Sequence, residues 1–230
     1  SDTTPFADLT FHQGDFDGLK GVYHINAVDC VTQFELVASC ERISEAYLLP
    51  VLACLLEDFP FTILGFHADN GSEYINHTVA KLLGKLHIEL TKSRPRTSND
   101  NALAETKNAA IVRKHLGYAH IPQRCASAVN AFCREFLNPY VNFHRPCFFA
   151  QMVTDSKGKI RKRYRFEDMM TPYEKLKSLP NAKDFLKSGM SFAALDAYVA
   201  ATSDNQAARD MNAARTKLFQ SIQPRSIQAA

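Results

Sequence analysis

The 230-residue chain is 46% hydrophobic and 22% charged with a formal net charge of +3, a composition that excludes collagen-like, rod-like and wholly disordered chains and fits a globular fold with a buried core. At this length one full domain with a smaller appendage is expected, since single domains run to roughly 100–200 residues. No apolar run reaches the roughly 18–20 residues that cross a bilayer, and no signal-peptide pattern opens the chain, so a cytoplasmic protein without a membrane partner is expected.

A net charge of +3 is too small to imply a nucleic-acid partner by itself, so the distribution of charge must carry that argument. The six cysteines, Cys30, Cys40, Cys54, Cys125, Cys133 and Cys147, form no Cys-x-x-Cys pair. A zinc site is therefore disfavoured against buried free thiols. The chain starts at Ser1 and enters a strand pattern at once, which leaves room for a separate upstream recognition domain.

In chain order, Leu9-Thr10-Phe11 reads as a first strand and residues 14–18 as a turn. Residues 21–29 and 34–40 read as two further strands in a hairpin, so three antiparallel strands are predicted to open the fold. Ser44 is the predicted N-cap of a helix carrying Ala46, Tyr47, Val51, Leu52, Leu55 and Leu56, which Pro50 should kink or start late. Residues 61–66 form a short apolar run, predicted as a strand, that leads into His67-Ala68-Asp69-Asn70-Gly71. Asp69 thus stands where a buried strand gives way to a turn, a place where open α/β sheets bind ligands.

A helix with Val79, Leu82, Leu83 and Leu86 follows, then a strand near Ile88-Glu89-Leu90, a polar loop over residues 93–101, and a helix from about Ala102 to Leu116. Glu105 lies in its first turns. Beyond Gln123 the pattern is helical, with Ala126, Val129, Phe132, Cys133, Phe136, Leu137 and Tyr140 on one core-facing stripe. A change of character after Pro146 suggests one unit over residues 1–148 and an extension over 149–230. The extension is predicted to hold a β-hairpin at residues 151–167 and short helices with a polar tail over 171–220.

The hairpin concentrates charge. If its second strand ran through residues 157–165, Lys157, Lys159, Arg161, Arg163 and Arg165 would share one face, with Ile160, Tyr164 and Phe166 anchoring the other. A solvated edge strand guarded by lysines is the plain alternative. Five aligned cations exceed that need and suit a phosphate backbone, so sequence-independent DNA binding is expected there.

Phosphodiester transfer relies on divalent metal held by converging carboxylates. Asp69 and Glu105 are separated by 35 residues, one at a strand end and one on a helix that could cross the same edge. Spacing alone is weak in a chain with 24 acidic residues, so the flanking residues decide. These are Asp69-Asn70-Gly71-Ser72-Glu73-Tyr74, Thr91-Lys92-Ser93-Arg94-Pro95 and Asn99-Asp100-Asn101-Ala102-Leu103-Ala104-Glu105, joined by Lys107-Asn108. Together they resemble the integrase-core family of retroviral integrases and bacterial insertion-sequence transposases. The stretch Lys20-Gly21-Val22-Tyr23-His24-Ile25-Asn26-Ala27-Val28-Asp29 is similar to insertion-sequence transposases in particular.

The resemblance spans roughly residues 8–145. It implies an RNase H-like α/β fold, with antiparallel leading strands, then parallel ones, flanked by helices. It further implies Mg²⁺ or Mn²⁺ dependence, cleavage and joining of DNA, and a homodimer or larger assembly on element ends and target DNA. Asp69 and Glu105 carry over as the second and third metal-binding carboxylates. Asn108, one turn beyond Glu105, could face the same site, and Arg94 and Arg96 are placed to hold phosphates. Asp29 does not match the family's aspartate and is expected to be structural.

The first carboxylate falls near Asp8. Aligned on His12 in Asp8-Leu9-Thr10-Phe11-His12, the family's aspartate position holds Leu9. A one-residue offset turns Asp8 to the other sheet face unless a bulge or an early strand end restores it. Two outcomes stay open: Asp8 as the first ligand, or a degenerate chain that grips DNA without cutting it. An RNase H-like nuclease that only hydrolyses is a third reading.

Overall fold

In the computed structural model the described residues are 5–12, 15–16, 18–68, 73–85, 89–92 and 102–222, with side chains left undescribed at 5–12, 15–16, 66–68, 73–76, 78, 89–92, 102, 104 and 105. The chain order is β1 (Pro5–His12), β2 (Asp15–Phe16), β3 (Leu19–Lys20), β4 (Tyr23–Asp29), β5 (Glu35–Cys40), α1 (Glu45–Asp58), β6 (Gly65–Ala68), α2 (Glu73–Lys85) and β7 (Glu89–Lys92). One long helical run follows: α3 (Ala102–Lys107), a π-helical stretch (Asn108–Arg113) and α4 (Lys114–Leu116). A second run contains α5 (Ala126–Phe132) and π-helical stretches at Cys133–Leu137 and Tyr140–His144. The hairpin β8 (Gln151–Thr154) and β9 (Ile160–Arg163) comes next, then α6 (Pro172–Lys177), α7 (Ala182–Phe185), α8 (Phe192–Ala200) and α9 (Asp204–Ile222).

Five strands form one mixed sheet in the order β5-β4-β1-β6-β7. β1 and β5 both run antiparallel to β4, while β6 is parallel to β1 and β7 is parallel to β6. Alternation along β5 sends Leu36 and Val37 to two different cores. Ile25 and Ala27 join Leu36 against Leu48, Leu52, Leu55 and Leu56 of α1 and Val79 and Leu83 of α2. Val37, on the opposite face of β5, packs with Ile111, Val112, Leu116, Val129, Phe132 and Leu137. Each fully buried leucine of α1 contributes roughly 1.5–3 kcal/mol of transfer free energy, which holds a helix whose Pro50 lacks a donor. The sheet between two helical layers, with its leading hairpin, is the RNase H-like arrangement that the family resemblance implied.

Several local expectations change. Helix α1 begins at Glu45, so Pro50 does not delay it, and Ser44 caps it with extended backbone but no side-chain hydrogen bond. The strand expected at residues 61–66 is β6 at Gly65–Ala68; Phe61 is instead fully buried in the first core, bridged to Leu186. The tail is not only short helices, since α9 runs for 19 residues. It buries Met211, Leu218 and Ile222 in the second core, and Leu176 of α6 enters the first. Of the cysteines, all free, only Cys40 and Cys133 are buried.

The outer edge of β5 is closed by side chains. Asn142 accepts from the Glu35 amide at 2.7 Å and donates to the Glu35 carbonyl at 2.6 Å. Asn138 does the same at Val37, at 2.9 and 3.1 Å, and Asn130 at Ser39, at 2.6 Å for both bonds. Residues 130, 138 and 142 recur at helical spacing, while 35, 37 and 39 recur at strand spacing, so one helix face reads one strand edge. The three amides supply the donors and acceptors of a missing strand and leave no open edge there for another chain to pair with.

Among the described residues no helix is long and apolar enough to cross a membrane.

Candidate carboxylate site and nucleic-acid interface

The register of β1 fixes where Asp8 lies in the sheet. Ala7 pairs with Ala27 and Asp8 with Asn26, and pairing resumes at Phe11 with His24. Three steps along β1 match two along β4, so a one-residue bulge separates Asp8 from Phe11. Cross-strand partners share a sheet face, which gives Asp8 the register position of the Asn26 face. On its other side β1 pairs in parallel with β6, Ala7 opposite Ala68. In sequence, Asp8 and Asp69 are the residues that directly follow this pair.

The helix bearing Glu105 crosses the same region, for α3 packs on both β1 and β4. Asn26 Nδ2 donates to Asn108 Oδ1 at 2.9 Å, with both residues buried. This bond joins the strand partner of Asp8 to the helix one turn beyond Glu105. No sequence signal marks Asn26, because a single polar residue in an apolar strand has no periodicity. The side chains of Asp8 and Glu105, and Asp69, Arg94 and Arg96 altogether, lie outside the described residues. Among the described residues no cluster of three or more His, Cys, Asp or Glu could hold a metal.

A second tie lies behind the first. Lys107 Nζ sits 3.7 Å from Glu35 Oε2, and both groups are almost wholly buried. Burial pushes the Glu35 carboxyl up to about 7, against the opposing pull of Lys107. The pair fastens α3 to the start of β5. Asp29, at the end of β4, is buried and accepts from the Thr32 amide at 2.8 Å, the structural role expected for it. His24 Nδ1 lies 2.7 Å from Ser39 Oγ, and burial lowers its imidazole to about 4.

The hairpin forms as expected, turning at Gly158 with φ 77°, a left-handed conformation that favours glycine. Its charged row is shorter than the alternation suggested. β9 covers only Ile160–Arg163, so Lys157 and Lys159 lie in the turn and Arg165 beyond the strand end. Only Arg161 and Arg163 share a strand face. Asp155 organises the turn, accepting from the Lys157 and Lys159 amides at 2.9 Å and from Arg161 Nε at 3.0 Å. Arg165 is paired with Glu167 at 2.9 Å. The apolar residues do not anchor the hairpin either, since Ile160, Tyr164 and Phe166 are all exposed. A row packed at its back was expected; the hairpin instead projects with both faces in solvent.

No family model matches the chain. An uncharacterized protein of Sinorhizobium fredii, y4rM, is 33% identical over 106 residues, which is 46% of this chain; the chain spans 30% of that relative's length. Among solved structures, the simian T-cell lymphotropic virus intasome in complex with a PP2A regulatory subunit matches 83% of this chain and 59% of that one, with TM-score 0.50 and 12% identity. The catalytic core of BIV integrase covers 74% of this chain and 91% of its own at TM-score 0.44 and 15% identity. The HTLV-2 integrase core, in complex with magnesium, covers 64% and 91% at TM-score 0.44 and 12% identity. With the sheet order β5-β4-β1-β6-β7 and the helix α3 laid over β1 and β4, the chain has an RNase H-like fold.

Proposed function

We propose that this chain is the catalytic region of a DNA transposase of the insertion-sequence type, cutting phosphodiester bonds and joining the freed 3′ ends to target DNA. The observation that supports it most is the register at β1. Asp8 and Asp69 follow one parallel residue pair, and Glu105 lies on the helix that the Asn26–Asn108 bond ties to the strand partner of Asp8. The bulge after Asp8 supports the reading in which Asp8, rather than Leu9, is the first ligand, because Asp8 holds the register position on the face that α3 covers.

In this reading Asp8, Asp69 and Glu105 hold Mg²⁺ or Mn²⁺, whose oxygen-seeking chemistry suits three carboxylates and which, when bound, polarises phosphoryl oxygens. Asn108 orients the helix beneath Glu105, while Arg94 and Arg96 hold phosphates. Residues 1–148 carry the chemistry, and residues 149–230 add the basic hairpin as a further DNA contact, with Lys157, Lys159, Arg161, Arg163 and Arg165 facing phosphates. The assembly on DNA is a homodimer or larger, in the bacterial cytoplasm.

The test is Mg²⁺-dependent joining of a labelled DNA end, with Asp8→Asn, Asp69→Asn, Glu105→Gln and Leu9→Asp compared against the parent. Loss of at least about a hundredfold in each of the first three, the scale of removing a group that stabilises transition-state charge, supports the triad. A parent without activity that gains it on Leu9→Asp replaces this reading with a chain that binds DNA and does not cut it.

A further inference from the structure

The hairpin and the segments flanking it expose large apolar side chains beside a set of cations. Phe166 is 83% exposed, Met152 65%, Ile160 61% and Tyr164 57%. The Phe148 ring meets Phe166 at 5.5 Å and 86°, and Tyr164 at 6.5 Å and 83°, so three rings stand in one edge-to-face cluster at the foot of the hairpin. Its position is held by the body, for Gln33 Nε2 donates to the Phe148 carbonyl at 2.9 Å. On β8 and β9, Met152 pairs with Lys162 and Thr154 with Ile160, which sets Lys162 between two exposed apolar side chains on one face. Arg161 and Arg163 occupy the other. Among the described residues Lys157, Lys159, Lys162 and Arg163 form no ion pair with a carboxylate, whereas Arg161 and Arg165 do.

Aromatic rings left in water forgo the gain of burial, and cations alone would serve a duplex backbone, which offers phosphates and keeps its base faces stacked inside. Open rings add something only where a ligand presents flat apolar faces along an anionic chain. We propose that the Phe148, Tyr164 and Phe166 cluster binds unpaired DNA, its rings stacking on bases while Lys162 and Arg163, on the two faces of the adjoining hairpin, hold phosphates to either side. Stacking of this kind is tolerant of base identity, because every base has a π face. The proposal deepens the DNA reading above by naming the state of the strand, and it does not depend on the carboxylates.

The test uses the whole chain and fluorescence anisotropy with three labelled probes: an oligothymidylate of about 12 nucleotides, an abasic strand of the same length, and a duplex of the same length. Oligothymidylate should bind about tenfold or more tighter than the abasic strand, and Tyr164→Ala with Phe166→Ala should erase that difference while leaving duplex affinity and the melting temperature close to the parent's. Tyr164→Phe with Phe166→Trp should keep it. Equal binding of abasic and thymidylate strands, or an unchanged preference in the double alanine variant, overturns the proposal. So does a concentration-dependent dimer in sedimentation that the double alanine variant abolishes, since the patch would then serve a second copy. Joining by the parent is measured alongside: if it fails but the thymidylate preference persists, the catalytic reading falls and this one stands.

Discussion

Asn26 Nδ2 donates to Asn108 Oδ1 at 2.9 Å, linking the strand that pairs with Asp8 to the helix that carries Glu105 across 82 residues of sequence. Both residues are buried, so the bond works as a fixed strut rather than an optional contact.

Replacing Asn26 by leucine therefore leaves the Asn108 carbonyl oxygen buried without this donor. We expect a stability loss of about 1–3 kcal/mol by urea denaturation. If the strut positions Glu105, Mn²⁺ affinity by titration calorimetry falls as well, at a temperature where the variant is fully folded. A loss of stability with unchanged Mn²⁺ affinity would confine Asn26 to a structural role.

The asparagines along β5 make a second prediction. Asn138→Leu removes two hydrogen bonds and strands the amide and carbonyl of Val37 in a buried setting. A cost of about 2–4 kcal/mol is expected from two missing partners, together with faster amide exchange at Val37. Asn142→Leu should act similarly at Glu35, whereas substitution of exposed Glu135 on the same run should change stability by less than about 0.5 kcal/mol.

Part of the acid sensitivity should trace to His24, alongside His115, which burial also lowers to about 4. The folded His24 imidazole is lowered to about 4 from 6.5 by burial, so between those values the unfolded chain binds a proton that the folded chain refuses. Its contribution is therefore fully present above pH 6.5 and is lost as the pH falls through that range toward 4. The slope from this group approaches about 1.4 kcal/mol per pH unit. Urea midpoints from about pH 7.5 down to about pH 4.5 test it: His24→Gln should be less stable at the upper end yet show a shallower acid decline than the parent.

The hairpin cations should register in salt dependence. Arg163→Ala with Lys162→Ala should weaken duplex binding equally for unrelated sequences and reduce the slope of log affinity against log salt by up to about 1.8, near 0.9 for each phosphate no longer neutralised. An unchanged slope would remove these residues from the DNA surface.

Much of this was written in local sequence. Hydrophobic alternation over residues 21–40, helical spacing from Ala102 to Leu116, and the stripe from Ala126 to Tyr140 depend on neighbours within a few residues, so they can be read without the fold. The turn at Gly158 is local in the same way. Tertiary structure alone decided the rest. The register position of Asp8 depends on a bulge, which exists only when β1 is laid against β4. Asn26 and Asn108, Glu35 and Lys107, and the three asparagines on β5 are partners separated by 72 to 107 residues. No sequence period links such pairs. They meet because chain folding brings one strand edge or helix face against another, and buried polar groups persist only where that meeting satisfies them.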